Sequence, residues 1–344
     1  MRALVFHGPR DMAVEDRPEP EPGPDDALLA IIATGICGSD LHGYTGETGR
    51  RHPGQVMGHE TVARVLEDRT GVHRSGTLVT VNPVLGCGRC PACIAGAAQR
   101  CPTRRVIGVH ADISAAFAER MIAPTRNLVP LSEGTPPDIG SLVEPLAVGY
   151  HACQRGGLTN KDILYILGGG PIGQAAAIAA RRIGAAAPVV AELDPARRAL
   201  LKRLGFATAN PNVQTTDDIR ALLGAAPTLV IDAVGATQTL QSALDIAALG
   251  ARIVLVGMAT PRLDLAAYAL TTGERCLVGS FSYDDAAFRD TATWASANVA
   301  DLAPLIDARV DLDEAPDAFR ALAEGTLTAG KVLVYPAGRR VEMS

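Results

Sequence analysis

The sequence predicts an α/β protein in which a doubly wound parallel sheet follows a β-rich segment that carries metal-ligand side chains. Three observations support this fold class. A glycine-rich turn lies between a short apolar strand and an Ala-rich helix in the stretch Ile163–Asp194. Strand-like and helix-like segments then alternate as far as Ser280. The first part of the chain instead shows short strand-like segments and most of the cysteines.

The glycine-rich turn has the spacing of a dinucleotide-binding motif. Ile163–Leu167 suits a buried parallel strand, and Gly168, Gly170 and Gly173 follow it in the pattern G-x-G-x-x-G. These glycines permit a tight turn, the approach of the backbone to a pyrophosphate, and the packing of helix on strand. A second apolar run ends at Glu192, whose carboxylate can accept hydrogen bonds from an adenosine ribose and would repel the 2′-phosphate of NADP. The sequence therefore predicts bound NAD, and a glycine turn without a ligand is the weaker alternative.

The alternation of strands and helices continues on both sides of Glu192. Predicted strands cover Thr228–Ala233, Arg252–Val256 and Cys276–Ser280, and predicted helices cover Gln174–Ile183 and Gln238–Leu249. Roughly six strands of this length form one doubly wound sheet. The last part of the chain has two amphipathic patterns and a closing strand expected to return to the first domain, at Asp285–Ala295, Glu314–Leu322 and Lys331–Val334.

Composition restricts the kinds of partner. A chain of 344 residues suggests about two domains. Its formal net charge is −5 and its arginines form no block longer than a pair, which disfavours a nucleic-acid surface. No apolar run approaches the roughly 20 residues of a membrane span, and the N-terminus lacks the apolar core of a signal peptide. We therefore expect a cytoplasmic protein that acts on a small molecule, with no nucleic-acid or membrane partner.

The spacing C-x2-C-x2-C-x7-C at Cys87, Cys90, Cys93 and Cys101 predicts a structural zinc site. Four thiolates in one short loop can close a tetrahedral site that has no open position. An iron–sulfur cluster or a redox-active C-x-x-C pair is a weaker alternative, because the pair does not lie at a βα junction. The odd total of seven cysteines argues against a disulfide framework. Two further cysteines without metal-ligand spacing are expected in the core: Cys153 and Cys276.

A second set of metal-ligand side chains lies upstream. The segment I-C-G-S-D-L-H contains Cys37, and M-G-H-E contains His59 and Glu60. A single cysteine or histidine would be a buried structural side chain, but together, each beside a glycine, they predict ligands that folding brings together. Zinc accepts such mixed sulfur, nitrogen and oxygen donors. Glu144 is interpreted either as a charge near a helix N-terminus or as a carboxylate of this metal site.

These motifs together resemble those of the zinc-containing medium-chain dehydrogenase/reductase family over essentially the whole chain. C-G-S-D-x-H, G-H-E, the four-cysteine lobe, V-E-P-L-A and G-G-G-P-I-G are most similar to its polyol, sugar-acid and threonine dehydrogenase branch. The resemblance implies a GroES-like β-rich catalytic domain interrupted by a Rossmann domain. The expected domains are residues 1–145 with the zinc lobe at 87–101, residues 146–283 that bind NAD, and residues 284–344 that return to the catalytic domain.

The resemblance also implies roles for single residues. Cys37, His59 and Glu60 match the catalytic-zinc motif. Glu144 stands where another ligand of the family lies, and it binds zinc directly or acts through a neighbour. The positions that match the cofactor site are Gly168, Gly170, Pro171, Ile172, Gly173, Glu192, Arg197, Val234, Val256, Gly257, Ser280 and Phe281.

The implied activity is the reversible, NAD-dependent oxidation of a secondary alcohol to a ketone (EC 1.1.1.-), with a polyol, cyclitol or sugar acid as substrate. Ser39 would take the alcohol proton and pass it through the cofactor ribose toward His42. Arg50, Arg51 and His110 are expected near the substrate. An L-threonine, simple secondary-alcohol or diol dehydrogenase is an alternative, and a non-catalytic nucleotide-binding scaffold is an alternative of another class. We expect a homodimer or homotetramer.

Overall fold

The computed structural model describes residues 1–47, 49–113, 115–327 and 329–339. Contacts divide the chain into two compact units. One unit comprises Met1–Glu144 and the chain from Asp284 onward, and the other comprises Pro145–Tyr283. The first unit is built mainly from β-strands, and the second is a parallel sheet with helices.

The strands in chain order are β1 (Arg2–Gly8), β2 (Asp11–Asp16), β3 (Asp26–Gly35), β4 (Gln55–Val56), β5 (Glu60–Asp68), β6 (Leu78–Val81), β7 (Val84–Leu85), β8 (Arg105–Val106), β9 (Arg120–Pro124), β10 (Leu128–Pro130), β11 (Leu164–Leu167), β12 (Val189–Ala191), β13 (Ala207–Ala209), β14 (Leu229–Asp232), β15 (Arg252–Leu255), β16 (Cys276–Gly279), β17 (Ile306–Asp311) and β18 (Lys331–Tyr335).

The α-helices are α1 (Gly38–Tyr44), α2 (Pro91–Ile94), α3 (Pro137–Arg155), α4 (Pro171–Ile183), α5 (Pro195–Arg203), α6 (Thr216–Leu223), α7 (Thr237–Ile246), α8 (Ala267–Thr272), α9 (Asp285–Ala297), α10 (Val299–Leu302) and α11 (Ala315–Ala323). Short 3-10 turns lie at Ala98–Arg100, Thr125–Asn127, Ala303–Leu305 and Leu312–Glu314.

The first unit is organised around strand β3. The main sheet has the order β10-β6-β5-β3-β18-β17, and β9 also pairs with β3. Neighbours are antiparallel except β17 and β18, which run parallel. The alternation along β3 buries Ala27, Leu29 and Ile31 against the apolar faces of β5 and β6. Strand β18 pairs with β3 so that Leu333 lies opposite Gly35, which brings the end of the chain to the end of β3.

The second unit contains six parallel strands in the order β13-β12-β11-β14-β15-β16. Counted from β11 as the first strand, this order is 3-2-1-4-5-6, the doubly wound order of dinucleotide-binding sheets. The order reverses between β11 and β14, and ligands bind such sheets outside the carboxyl ends of the strands at this point. The predicted doubly wound parallel sheet is confirmed.

The segment after Val106 is a series of turns, because Gly108 has φ +74° and packs against the backbone of Gly58. Two residues differ from the sequence predictions. Helix α3 begins at Pro137, so Glu144 lies inside a helix and not at its N-terminus. Cys276 is exposed, because β16 is the edge strand of its sheet. Within the described ranges, no helix is both long and apolar enough to cross a membrane.

Two candidate metal sites and a dinucleotide cradle

Four cysteines cluster in the loop between β7 and β8, the lobe predicted at 87–101. The sulfur atoms of Cys87, Cys90, Cys93 and Cys101 all lie within 4.8 Å of one another. A tetrahedral zinc with Zn–S bonds of about 2.3 Å holds its sulfurs roughly 3.8 Å apart, so this donor set fits a closed zinc site. A Cβ at Gly86 would come within 2.6 Å of Cys93 Sγ, so a glycine is required where the loop closes on itself.

Hydrogen bonds favour the metal-ligating form of the lobe cysteine Cys101, whereas burial raises the pKa of the Cys93 thiol to about 12. The N–H of Cys87 donates to Cys101 Sγ at 3.4 Å, and the N–H of Cys93 donates to Cys90 Sγ at 3.5 Å. Hydrogen bonds from the Thr103 side chain and the Cys87 backbone lower the pKa of the Cys101 thiol to about 6. Because the thiolate is the metal-ligating form of cysteine, the bonds to Cys101 favour metal binding.

The mixed set gathers at the ends of two paired strands. The ligand atoms of Cys37, His59 and Glu60 lie within 4.8 Å of one another. Cys37 follows β3, and Glu60 begins β5, directly opposite Gly35 of β3. A Cβ at Gly35 would lie 2.1 Å from Glu60 Oε2, so only glycine leaves room for this carboxylate. One sulfur, one imidazole nitrogen and one carboxylate oxygen are ligands that zinc accepts, and three protein ligands leave an open position.

Asp40 lies behind two of these ligands. Its side chain is fully buried, Oδ2 accepts the Cys37 N–H at 3.1 Å, and Oδ1 lies 3.6 Å from His59 Nδ1. Burial alone would raise the Asp40 pKa, but the charges of His59 and Arg51 hold that pKa below its ordinary value. Burial alone would lower the His59 pKa, but Asp40 and Cys37 raise it well above its ordinary value. The same negative field favours a metal cation, and a carboxylate beside a ligating histidine orients its ring.

Lys331 supplies a buried countercharge for Glu60. Its ammonium group pairs with Glu60 Oε1 and donates to the Ile36 carbonyl at 3.2 Å. Burial alone would lower the Lys331 pKa, but Glu60, Cys37 and Glu144 raise it above its ordinary value. Glu60 Oε2 has no hydrogen-bond partner within the described part of the chain, which suits an oxygen that binds a metal.

Glu144 lies outside the cluster of Cys37, His59 and Glu60. It is buried on α3, which the Ser141 hydroxyl joins to β3 through a 3.2 Å bond to the Ala33 carbonyl. Its carboxylate acts on Lys331 electrostatically. The geometry therefore favours Glu60 over Glu144 as the carboxylate ligand of the mixed set.

The two relay candidates lie on one face of helix α1. Ser39 and His42 are three residues apart, which places them one turn from each other. The exposed edge of His42 meets a carboxylate that the sequence analysis did not single out: Nδ1 lies 2.6 Å from Glu47 Oε2. This hydrogen bond lowers the Glu47 pKa. Arg51, expected near the substrate, is buried, and its guanidinium donates to the carbonyl groups of Ser39 and Val109.

The predicted glycine motif forms a cradle after β11 in the second unit. Gly168 has φ +92°, and a Cβ at Gly173 would lie 1.8 Å from the Gly168 carbonyl oxygen. Gly170 is the N-cap of α4, with Pro171 in the first turn and no side-chain capping bond. The N–H groups of this first turn are therefore available to an anion such as a pyrophosphate.

Glu192 is fixed at the end of β12. Its Oε2 accepts the Gly169 N–H at 2.7 Å, and Oε1 accepts the N–H groups of Leu193 at 2.7 Å and Asp194 at 2.8 Å. Arg197 Nη1 lies 3.8 Å from Glu192 Oε2. Asp194, not Glu192, caps helix α5 by accepting the Arg197 N–H at 2.8 Å.

The other predicted cofactor positions follow the remaining strands at the same edge of the sheet. Val234 follows β14, Val256 and Gly257 follow β15, and Ser280 and Phe281 follow β16. A Cβ at Gly257 would lie 2.1 Å from the Val234 carbonyl carbon, so two of these loops meet backbone to backbone. Ile172 lies in the first turn of α4, which follows β11. The structure therefore brings the predicted cofactor positions together at the carboxyl-end edge of the parallel sheet.

Comparison with known proteins shows which protein families share this architecture. Residues 171–297 match the zinc-binding dehydrogenase family, and residues 23–133 match the alcohol dehydrogenase GroES-like domain. The chain is 32% identical over 285 residues to L-galactonate-5-dehydrogenase of Escherichia coli K12, and this alignment covers 81% of this chain and 83% of that protein. It is 30% identical over 335 residues to sorbitol dehydrogenase of Ovis aries, and this alignment covers 94% of this chain and 93% of that protein.

A solved structure agrees with these matches. The alcohol dehydrogenase RspB from Escherichia coli CFT073, in complex with NADH, has a TM-score of 0.89 at 27% identity and covers 98% of this chain and 99% of that one. The predicted combination of a GroES-like β-rich domain with a Rossmann sheet is confirmed. The chain is an oxidoreductase that belongs to the zinc-containing medium-chain dehydrogenase/reductase family, in its polyol dehydrogenase branch.

Proposed function

We propose that this enzyme oxidises a secondary hydroxyl group of a polyol, cyclitol or sugar acid to a ketone, with NAD as hydride acceptor. The observation that carries the proposal is the convergence of the ligand atoms of Cys37, His59 and Glu60 within 4.8 Å. Cys37 is also the N-cap of helix α1, which carries Ser39 and His42. Similarity to L-galactonate-5-dehydrogenase and sorbitol dehydrogenase supports a polyhydroxylated substrate.

The side chains of the proposed site have separate roles. Cys37, His59 and Glu60 would hold a zinc ion, which would supply Lewis-acid polarisation of the substrate hydroxyl, and bound NAD would supply the hydride acceptor. Ser39 accepts the hydroxyl proton, and His42 receives it at the exposed end of the same helix face. The four lobe cysteines complete a closed zinc site that stabilises the fold.

The preference for NAD rests on Glu192. Its carboxylate is buried at the end of β12, where the ribose of a dinucleotide lies in this fold. Arg197 could accommodate a 2′-phosphate, but its guanidinium already lies 3.8 Å from the carboxylate. We expect kcat/KM to be higher with NAD than with NADP, and Glu192→Ala to narrow the gap mainly by weakening NAD binding. Equal values in the parent enzyme would contradict this role of Glu192.

We also propose that the enzyme is a homodimer, or a homotetramer built from such dimers. Strand β16 is an edge strand, and its sequence Cys276-Leu277-Val278-Gly279 carries neither a charge nor a proline. Leu277 is 37% exposed, and Tyr268 of the preceding helix is 88% exposed. An uncharged edge strand is a template for further strand pairing, so a second copy would extend the sheet here.

The proposed domains are residues 1–145, 146–283 and 284–344, and the two compact units of the chain support this division. The proposed location is the cytoplasm. All seven cysteines are free thiols, and a four-thiolate metal lobe suits a reducing compartment.

A substrate panel tests the proposed activity. The purified enzyme is assayed for reduction of NAD with galactonate, idonate, sorbitol, xylitol and myo-inositol, and with L-threonine, 2,3-butanediol and 2-propanol as the alternative class. His59→Ala serves as the inactive control. We expect the highest kcat/KM on a polyol, cyclitol or sugar acid.

Each alternative has its own outcome in this panel. Highest kcat/KM on L-threonine or a simple alcohol would replace the substrate class and keep the chemistry. NADH binding without turnover on any alcohol would instead support a nucleotide-binding scaffold.

A further inference from the structure

We propose that Arg51 is a positioning residue for the mixed metal site: its buried guanidinium holds Asp40 and the start of helix α1, and thereby the ligands Cys37 and His59. This inference rests on the proposed zinc site. In the described part of the chain, Arg51 makes no hydrogen bond or ion pair with a metal ligand. It reaches the ligands through Asp40 and the α1 backbone, and its charge also acts on Cys37 electrostatically.

The Arg51 guanidinium contacts four other groups. Nε donates to Met57 Sδ at 3.1 Å, Nη1 donates to the Val109 carbonyl at 3.2 Å, and Nη2 donates to the Ser39 carbonyl at 3.3 Å. Nη2 also lies 3.7 Å from Asp40 Oδ1. The Arg51 side chain is only 3% exposed. A planar guanidinium with this many partners is held in one position, unlike a mobile cation on the surface.

Helix α1 is shaped to admit this side chain. A Cβ at Gly43 would lie 2.7 Å from Arg51 Cγ and 2.8 Å from Nε. Glycine inside a helix is normally unfavourable compared with alanine. The glycine is therefore explained by the room that the buried arginine requires against the helix.

Asp40 transmits the position of Arg51 to both ligands. Its Oδ1 lies between Arg51 Nη2 at 3.7 Å and His59 Nδ1 at 3.6 Å, while Oδ2 accepts the Cys37 N–H. Removing one member of a buried ion pair leaves the other charge uncompensated, so the carboxylate would have to move or recruit another partner. Any such movement changes the support of the His59 ring and of the Cys37 backbone.

The test compares zinc retention at the two sites of the same chain. Arg51→Gln removes the charge, Arg51→Lys keeps the charge without the planar fork, and Arg74→Gln is a control at an exposed arginine. Each protein is exposed to a chelator for increasing times, and zinc per chain is measured by elemental analysis. His59→Ala gives the reference for a chain that holds only the lobe zinc.

We expect the mixed site of Arg51→Gln to lose zinc about 10-fold faster than that of the parent. This is the lower end of the roughly 10- to 100-fold loss of affinity that follows removal of a direct partner of a metal ligand, because Arg51 acts mainly through Asp40. Arg51→Lys should fall between the two, and Arg74→Gln should match the parent. The lobe zinc should be released at the parent rate in every variant. Substitution with cobalt should show a changed absorption spectrum only for the mixed site.

Gly43→Ala provides an independent variant that displaces the guanidinium without altering it. Like Arg51→Gln, it should accelerate zinc release from the mixed site. If Arg51→Gln does not fold, Gly43→Ala tests the proposal in its place. Parent-like zinc release in Arg51→Lys and Gly43→Ala would overturn the proposal, as would equal acceleration at both zinc sites. A parent enzyme that holds no zinc at the mixed site would instead overturn the proposed function.

Discussion

The two candidate metal sites differ in how the chain builds them. The lobe takes all four ligands from one loop, and its Cys87 is exposed. The mixed site takes Cys37 from the end of β3 and His59 and Glu60 from the start of β5, and its acidic and histidine ligands are buried. A closed local site depends on spacing along the chain, whereas the mixed site depends on the register between two strands.

The sites also differ in how their polar atoms are satisfied. In the lobe, backbone N–H groups donate to two of the sulfurs. In the mixed site, Glu60 Oε2 has no hydrogen-bond partner within the described residues, and His59 Nδ1 and Asp40 Oδ1 face each other at 3.6 Å without a hydrogen bond. Buried polar atoms without partners are costly, and they persist where a bound ion or a reaction uses them. The contrast supports a structural role for the lobe and a catalytic role for the mixed site.

The largest expected effect comes from His59→Ala. Loss of a ligand at the mixed site should remove the Lewis-acid contribution of several kcal/mol, which lowers kcat/KM by at least ~10³-fold. The fold and the lobe zinc should remain, as measured by circular dichroism and by one zinc per chain. Loss of both zinc ions would show that the two sites are not independent.

Ser39→Ala should lower kcat by about 10²- to 10⁴-fold, because a positioned acid–base group contributes that much to proton transfer. The NAD dissociation constant and both zinc ions should be unchanged, which separates this effect from that of His59→Ala. Turnover at the parent rate across neutral pH would reduce Ser39 to a helix residue without a catalytic role.

Cys93→Ser should have the reciprocal effect. The lobe should lose its zinc, and the free energy of unfolding should fall by roughly 3 kcal/mol, a part of the ~10 kcal/mol that structural zinc contributes in zinc-finger peptides. Urea unfolding measures this change, and the mixed site should keep its zinc. Unchanged stability after zinc loss would contradict a structural role for the lobe.

The smallest expected effect lies at the far end of strand β5, where Asp68 is held by local partners instead of a buried countercharge. It accepts hydrogen bonds from the backbone of Thr70 and His73 and from the hydroxyl of Thr125. Burial alone would raise the Asp68 pKa, but these bonds lower it to about 2. Asp68→Asn should lower the free energy of unfolding by about 1 kcal/mol at neutral pH, after allowance for solvent screening.

The pH dependence of this difference has a definite sign. Because the folded-state pKa is below the ordinary value of 3.8, the Asp68 contribution is complete above about pH 4 and is lost as the pH falls toward 2. Urea unfolding of parent and Asp68→Asn from pH 7 to pH 3 should therefore show a shrinking difference. A constant difference would mean that the Asp68 charge does not stabilise the fold.

The sequence by itself determined the features whose parts are neighbours along the chain. The lobe follows from four cysteines in one loop, and the dinucleotide cradle follows from one strand, one turn and one helix. The parallel sheet follows from the repeated order of strands and helices. Such local patterns can be recognised because their geometry depends on short stretches of backbone.

Only the tertiary structure decided which distant side chains complete the mixed site. Lys331 and Glu60 are separated by 271 residues, and β18 brings them together by pairing with β3. Arg51 was expected near the substrate and is instead buried behind Asp40. Cys276 was expected in the core and lies on an edge strand. Strand register and sheet order fix these positions, and both arise from packing between segments far apart in the chain.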